Sequence, residues 1–293
     1  MCVYTANASL DSTSFVTPGD LKVAASELPP SPQVFGKLGK LLRDPNTGLN
    51  DITELVNTDA SLTTRVLKLS NSAAFAQGMA IDNLDDAINR IGFREVFKLV
   101  GAAAASDLFT VQNQTYQISG TRLWENALAC GLAMDQLAGK VGYDEQDMYT
   151  LGLLRSIGKM AIELCLSKKA NAPHYPLAEQ LPILEWEAST LGITNPKVAS
   201  FLLASWNFSE STIQSIQLQY LDSDPESGSG ESLLLNLACF IVEKIDKGLP
   251  GESGYWKPVP FYCERLGLQV NDLKQVLGSV RERLDEILQN IND

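Results

Sequence analysis

Histidine is almost missing from this chain. His174 is the only one in 293 residues, so neither a catalytic triad nor a multi-histidine metal site can be assembled within one copy. It lies in a polar, proline-flanked connection (residues 168–176), the place of a surface-loop histidine. Cysteine is sparse and scattered: Cys2, Cys130, Cys165, Cys239 and Cys263, with no CxxC pair. An odd count without a secretion leader reads as reduced thiols in the cytoplasm. Cys130, Cys165 and Cys239 sit in apolar helical contexts and read as core residues. Residues 1–12 hold neither a basic stretch nor an apolar run, so no signal peptide is predicted. No apolar run is long enough to cross a bilayer. Basic residues are outnumbered, 23 against 35 acidic, for a net charge of -12. That deficit excludes a general nucleic-acid surface and disfavours DNA binding by a helix-turn-helix. Sustained period-2 alternation is absent too, which removes β-sheet architectures.

What remains is a composition of 45% hydrophobic and 20% charged residues, that of a soluble globular protein, written almost entirely in helix signals. Pro18-Gly19-Asp20 opens a short helix that Leu28–Pro32 stops, since proline restricts itself and its predecessor. Val34, Leu38, Leu41 and Leu42 keep i, i+4, i+7, i+8 spacing before Asp44-Pro45-Asn46 breaks the run. Asn50 or Asp51, then Thr58-Asp59, then Asp82-Asn83 supply caps for three more helices. The helix over 93–109 is apolar on several sides, and its small residues at 101–105 suit close helix contact. A long helix runs from Ser119 or Thr121 to Val141-Gly142. A second runs unbroken from Asp144-Glu145 through Leu151, Leu154 and Ile157 to about Cys165. Shorter helices follow over 182–191, from Asn195-Pro196 with Val198, Phe201 and Leu202 facing inward, and from Ser209. Helices over 232–247 and 270–291 close the chain, separated by a loop over 249–260. The expected fold is all-α, a multi-helix bundle in two packed helical sub-units.

The order of these segments resembles a known family, the HDOD domains, over roughly residues 25–225. The resemblance rests on Leu28-Pro29-Pro30 with Pro32, Asp59 before the helix over 62–69, Asn71-Ser72, Phe75, and Ala87-Ile88 with Gly92. It continues through Trp124-Glu125-Asn126-Ala127, Gly152–Lys159, Glu187, Leu191-Gly192, Val198-Ala199, Trp206 and Ile216. It implies an all-helical relative of the HD metal phosphohydrolases, found in bacterial signalling and regulatory proteins. The expected organisation is a loosely ordered lead-in (1–16), an N-terminal helical half (17–118), an HD-like half (119–222), and C-terminal helices packed on the HD-like half (223–293).

HD hydrolases bind their metal with a histidine, a His-Asp pair and further histidines and aspartates. At the matching places this chain has Asn126, then Arg155-Ser156, then Asn195, then Gln219-Tyr220. None is a good ligand for a catalytic divalent ion, and Arg155 brings a positive charge to the metal's position. Water activation needs such ligands or a suitable base. The resemblance therefore implies no catalytic residue, no metal and no cofactor. Arg155 either pairs with an acidic neighbour or reaches solvent. Alternatively, Asn126, Arg155, Ser156, Lys159, Asn195, Gln219 and Tyr220 line a polar hollow that binds a small anion such as a nucleotide. Lys159, whose counterpart in active HD enzymes contacts phosphate, either joins that hollow or snorkels outward. Trp124, Trp186 and Trp206 read as core anchors, and Trp256 is the candidate exposed aromatic. The expected role is a non-catalytic, cytoplasmic signalling module with a protein partner. The alternative is a metal-dependent phosphodiesterase acting on nucleotides.

Overall fold

The computed structural model describes residues 15–28, 31–43, 46–71, 80–109, 113–221, 228–256 and 260–292. Several expectations lie outside them: the lead-in over 1–14, Pro29-Pro30, Asp44-Pro45, Ser72 and Phe75, residues 110–112, the acidic stretch 222–227, and 257–259. Among the described residues the architecture is helical throughout. One isolated antiparallel bridge, Asn113 with Ile118, is the sole extended pairing there.

Helices α1 (Pro18–Glu27) to α6 (Phe93–Leu108) form the N-terminal part, with α2 (Ser31–Arg43), α3 (Leu49–Asn57), α4 (Ala60–Ser70) and α5 (Leu84–Ile91) between them. Their starts follow local chemistry. Thr17 and Asp20 close a capping box on α1, and Asp59 and Asn83 accept from the first turns of α4 and α5. Asp51 is not itself the cap of α3. It sits at the third helical position and accepts from the Gly48 amide at 2.7 Å. Asn71 ends α4 and holds the Ile81 backbone from both sides at 2.7 Å. Helix α6 is buried along most of its length. The small side chain of Ala102 lets Trp124 come close enough for its indole N–H to donate to the Ala102 carbonyl at 3.1 Å.

Helix α7 (Gly120–Val141) is the central post. Packed on it are α8 (Glu145–Leu154), α13 (Gly230–Lys244) and α15 (Val270–Asn292). Its Leu123, Leu128, Leu132 and Leu137 are buried, each contributing roughly 1.5–3 kcal/mol. Around it stand α9 (Ile157–Leu166), α10 (Ile183–Trp186) with a π-turn over Glu187–Leu191, α11 (Asn195–Ser205), α12 (Glu210–Gln217) and α14 (Pro260–Leu266). Phe201, expected to face inward, is 36% exposed on the outer side of α11. No helix among the described residues is long and apolar enough to cross a membrane.

The expected unbroken helix from Asp144 to Cys165 is broken in two. Helix α8 ends at Leu154 and α9 begins at Ile157, with Arg155 and Ser156 in a turn between them. The two pieces have different partners, α8 lying on α7 and α9 on α11. Each contact is a glycine pressed on backbone. A Cβ at Gly152 would overlap the Cys130–Gly131 peptide, and one at Gly158 would overlap the Asn195 carbonyl. The chain changes direction between these two contacts.

Candidate functional site

The turn between α8 and α9 lies in the interior, and every side chain that sequence reasoning nominated converges on it. Asn126 comes from the second turn of α7, Arg155 and Ser156 from the break, and Lys159 from the first turn of α9. Asn195 opens α11, and Gln219 and Tyr220 follow α12. All seven are buried. Arg155 is 1% exposed and Lys159 is wholly enclosed, so the outward, snorkelling course open to that lysine is not taken.

The eighth member is a carboxylate that sequence reasoning passed over. Glu252, 1% exposed, enters from the loop between α13 and α14. Its Oε2 pairs with the Arg155 guanidinium. Its Oε1 accepts from Lys159 Nζ at 2.7 Å and from the Tyr220 hydroxyl at 2.8 Å. The other two guanidinium nitrogens are bonded as well. Arg155 Nε donates to Gln219 Oε1 at 3.1 Å, and Nη1 donates to Asn126 Oδ1 at 2.6 Å. Breaking the helix frees the Arg155 carbonyl, and Gln219 Nε2 donates to it at 3.1 Å. Asn126 completes its own bonding by donating to the Lys247 carbonyl at 2.7 Å. Of these seven side chains, Ser156 is the one whose polar atom is buried with no hydrogen-bond partner among the described residues.

A second carboxylate supports Asn195. Glu187, at the start of the π-turn, accepts from the Asn195 amide at 2.7 Å, from its side-chain Nδ2 at 3.0 Å, and from the Tyr116 hydroxyl at 2.6 Å. Tyr116 and Tyr220 also lend their ring faces to Lys159 Nζ, at 5.4 and 5.8 Å. The guanidinium of Arg155 lies over Trp256 at 5.3 Å, and Trp256 stacks on Tyr220 at 5.0 Å. Trp256 is therefore 4% exposed, not the exposed aromatic the sequence suggested. The loop that carries it folds inward behind Glu252.

Two buried cations facing two buried carboxylates set the electrostatics. For Glu252, burial is the largest influence and pushes the carboxyl upward. The charges of Arg155 and Lys159, with hydrogen bonds from Lys159 and Tyr220, overcome it, and the carboxyl titrates below the usual glutamate range. Burial dominates at Glu187, and its carboxyl is raised despite Lys159 nearby and the bonds from Tyr116 and Asn195. Burial also raises the Tyr116 and Tyr220 hydroxyls well above the ordinary tyrosine value, so both are donors at neutral pH.

This donor set does not fit a catalytic divalent ion. An ion bound between these side chains would stand among the Arg155 guanidinium and the Lys159 ammonium. The nearby oxygen donors, from Glu252, Tyr220 and Asn126, already accept from or donate to those groups. Among the described residues, no cluster of three or more His, Cys, Asp or Glu side chains is arranged to hold a metal. His174 is exposed, with Nδ1 3.1 Å from the Gln114 carbonyl.

Comparison with known proteins follows the same lines. A family model described as HDOD domain matches residues 28–221. A curated relative from Treponema pallidum (strain Nichols), an uncharacterized protein, is 25% identical over 252 residues, which are 80% of this chain and 46% of the relative. The chain thus spans about half the length of the curated relative it matches. An HDOD domain protein of unknown function from Geobacter sulfurreducens superposes with a TM-score of 0.67 at 19% identity, covering 92% of this chain and 98% of that one. A candidate phosphohydrolase from Shewanella amazonensis SB2B gives 0.61 at 22% identity, over 92% and 97%. A candidate signal transduction protein from Marinobacter aquaeolei VT8 gives 0.64 at 18% identity, over 92% and 64%. At such identities these likenesses concern the fold.

Proposed function

The chain belongs to the HDOD domain family, and from that premise we propose that it is a non-catalytic regulatory module that acts by docking to a protein partner. The observation that supports this most is the pairing of Arg155 and Lys159 with Glu252 at the place where HD enzymes keep their metal. Hydrolysis of a phosphoester needs an activated water and a polarised phosphoryl group. Here the groups that could do either are already bonded to one another in the interior. Such an arrangement serves as a polar core, which orients α7, α9, α11 and the 249–256 loop relative to each other.

The division into an N-terminal half (17–118), an HD-like half (119–222) and C-terminal helices (223–293) belongs to the same proposal. Packing of α13 and α15 on α7 supports it. A cytoplasmic setting is part of it too, supported by the free thiols of Cys130, Cys165, Cys239 and Cys263. A net charge of -12 points to a partner that is not nucleic acid.

The test has two arms. Purified protein is incubated with manganese, iron or zinc and assayed on bis-p-nitrophenyl phosphate and on cyclic dinucleotides, with metal content measured in parallel. No turnover and substoichiometric metal are expected. Turnover that depends on a stoichiometric metal would overturn the reading in favour of a phosphodiesterase. The second arm is affinity capture from the native cytoplasm, in which a defined protein partner is expected.

A further inference from the structure

Arg155, Lys159 and Tyr220 make a cradle shaped for one kind of group. Three donors from three separate elements point at two oxygens of one planar anion. The guanidinium takes one oxygen, while the ammonium and the phenol share the other at 2.7 and 2.8 Å. Asn126 and Gln219, which lie outside the loop that brings the carboxylate, hold the guanidinium in that orientation. The cradle is thus positioned by the fold rather than by its occupant, and its geometry is that of carboxylate recognition.

The occupant comes from the loop over 249–256, whose Leu249 and Trp256 are buried with it. Besides the bonds to Glu252, the contacts of this loop with the rest of the molecule include Ile183 N to the Gly251 carbonyl at 2.9 Å, Leu184 N to the Tyr255 hydroxyl at 3.4 Å, and Asn236 Nδ2 to the Tyr255 carbonyl at 3.2 Å. Surface clefts flank it on both sides. One, of about 510 Å³, is lined by Tyr175, Pro182 and residues of the loop. The other, of about 500 Å³, is lined by Arg122, Glu243 and the loop's Leu249, Pro250 and Ser253. The loop is their common wall. Its inner side delivers Glu252, and its outer side, at Ser253 and Gly254, is exposed.

We propose that the Arg155–Lys159–Tyr220 cradle is a carboxylate-binding site whose resident ligand is the chain's own Glu252, carried in as a tethered plug by the 249–256 loop. Tethering gives the internal carboxylate a high effective concentration, so free carboxylates do not compete while the loop is in place. Removing the Glu252 side chain leaves the cradle open to a small carboxylate from outside. This inference rests on the non-catalytic reading of the site, and the two fail separately. Metal-dependent turnover would remove that reading, whereas the anion titration described next bears on the cradle alone.

The test uses the full chain and its Glu252→Ala variant, with sodium formate as the probe. Sodium chloride at equal ionic strength and inorganic phosphate are the comparison anions. The variant melts below wild type in chloride. Formate raises its melting temperature in proportion to the logarithm of its concentration above the dissociation constant, by a few degrees at about tenfold excess over that constant. Wild type gains no more from formate than from chloride. The gain disappears in Arg155→Met/Glu252→Ala. If Glu252→Ala does not fold in chloride, its refolding yield in formate replaces the melt, with recovery expected. The proposal is overturned if formate does no better than chloride in either readout, if wild type responds as strongly as the variant, or if phosphate outperforms formate.

Discussion

Gln219 grips Arg155 twice. Its side-chain oxygen accepts from Arg155 Nε and its side-chain nitrogen donates to the Arg155 carbonyl, both at 3.1 Å. The second bond exists only because the helix is interrupted at Arg155. In a continuous helix that carbonyl would accept from Lys159 N instead. One glutamine therefore fixes both the backbone turn and the direction of the guanidinium, and it joins the end of α12 to the core.

Removing the charge of Arg155 should unfold more than it should disarm. Arg155→Met leaves Glu252 buried with half its pairing gone, a change that typically costs about 3–5 kcal/mol. The urea midpoint should fall accordingly. In Arg155→Met/Lys159→Met/Glu252→Met much of that loss should return, because matched apolar replacement of a whole buried ion cluster is often neutral. A loss under about 1 kcal/mol for the single variant would show that the pair is not structural.

The pH dependence of stability should have opposite contributions from the two carboxylates. Glu252 titrates below its unfolded value, so its contribution is fully present above that value, about 4.3. It is lost as pH falls through the lower, folded value. Glu187 titrates above its unfolded value. Its contribution is full below about 4.3 and is lost as pH rises through the folded value. Melting curves of Glu252→Gln and Glu187→Gln, whose amides stand in for the protonated acids, should therefore both converge on wild type at acid pH and depart from it in opposite directions as pH rises, Glu252→Gln falling below wild type and Glu187→Gln rising relative to it. Parallel curves for both variants would contradict these assignments.

Tyr116→Phe deletes one donor to Glu187 without disturbing the packing against Trp186, whose ring lies 5.8 Å away. A hydrogen bond to a charged group contributes about 1.5–3 kcal/mol. That loss should appear at neutral pH and shrink as Glu187 takes up its proton. Equal losses at neutral and acid pH would mean that the hydroxyl matters only for packing.

Gly158→Ala should separate α9 from α11. The added methyl meets the Asn195 carbonyl, which is backbone and cannot swing aside. Overpacking of this kind costs about 1–3 kcal/mol, and the displaced Asn195 should also loosen its bonds to Glu187. The neighbouring surface change Lys197→Ala should be nearly silent in the same denaturation experiment.

Much of this protein was legible before any coordinates. Asp59, Asn83, Ser119, Asp144 and Ser209 begin helices because a short polar side chain reaches back to its own first turn. Such signals lie within a few residues of each other. The gathering of Asn126, Arg155, Ser156, Lys159, Asn195, Gln219 and Tyr220 was legible too, through the resemblance of their surroundings to HDOD domains. What those side chains face was not. Glu252 lies 97 residues from Arg155 and 93 from Lys159, beyond the matched segment, in a loop whose Gly, Ser and Pro content reads as exposed.

The sequence by itself determined most of the helices and their caps, because these depend on residue type and short spacing. Tertiary structure alone decided that the helix breaks at Arg155, since α8 and α9 press their glycines on different partners. It also decided that the charges of Arg155 and Lys159 are met from within the chain. Two buried cations cannot remain unpaired at the centre of a helical core, and the chain brings Glu252 in from a distant loop to meet them.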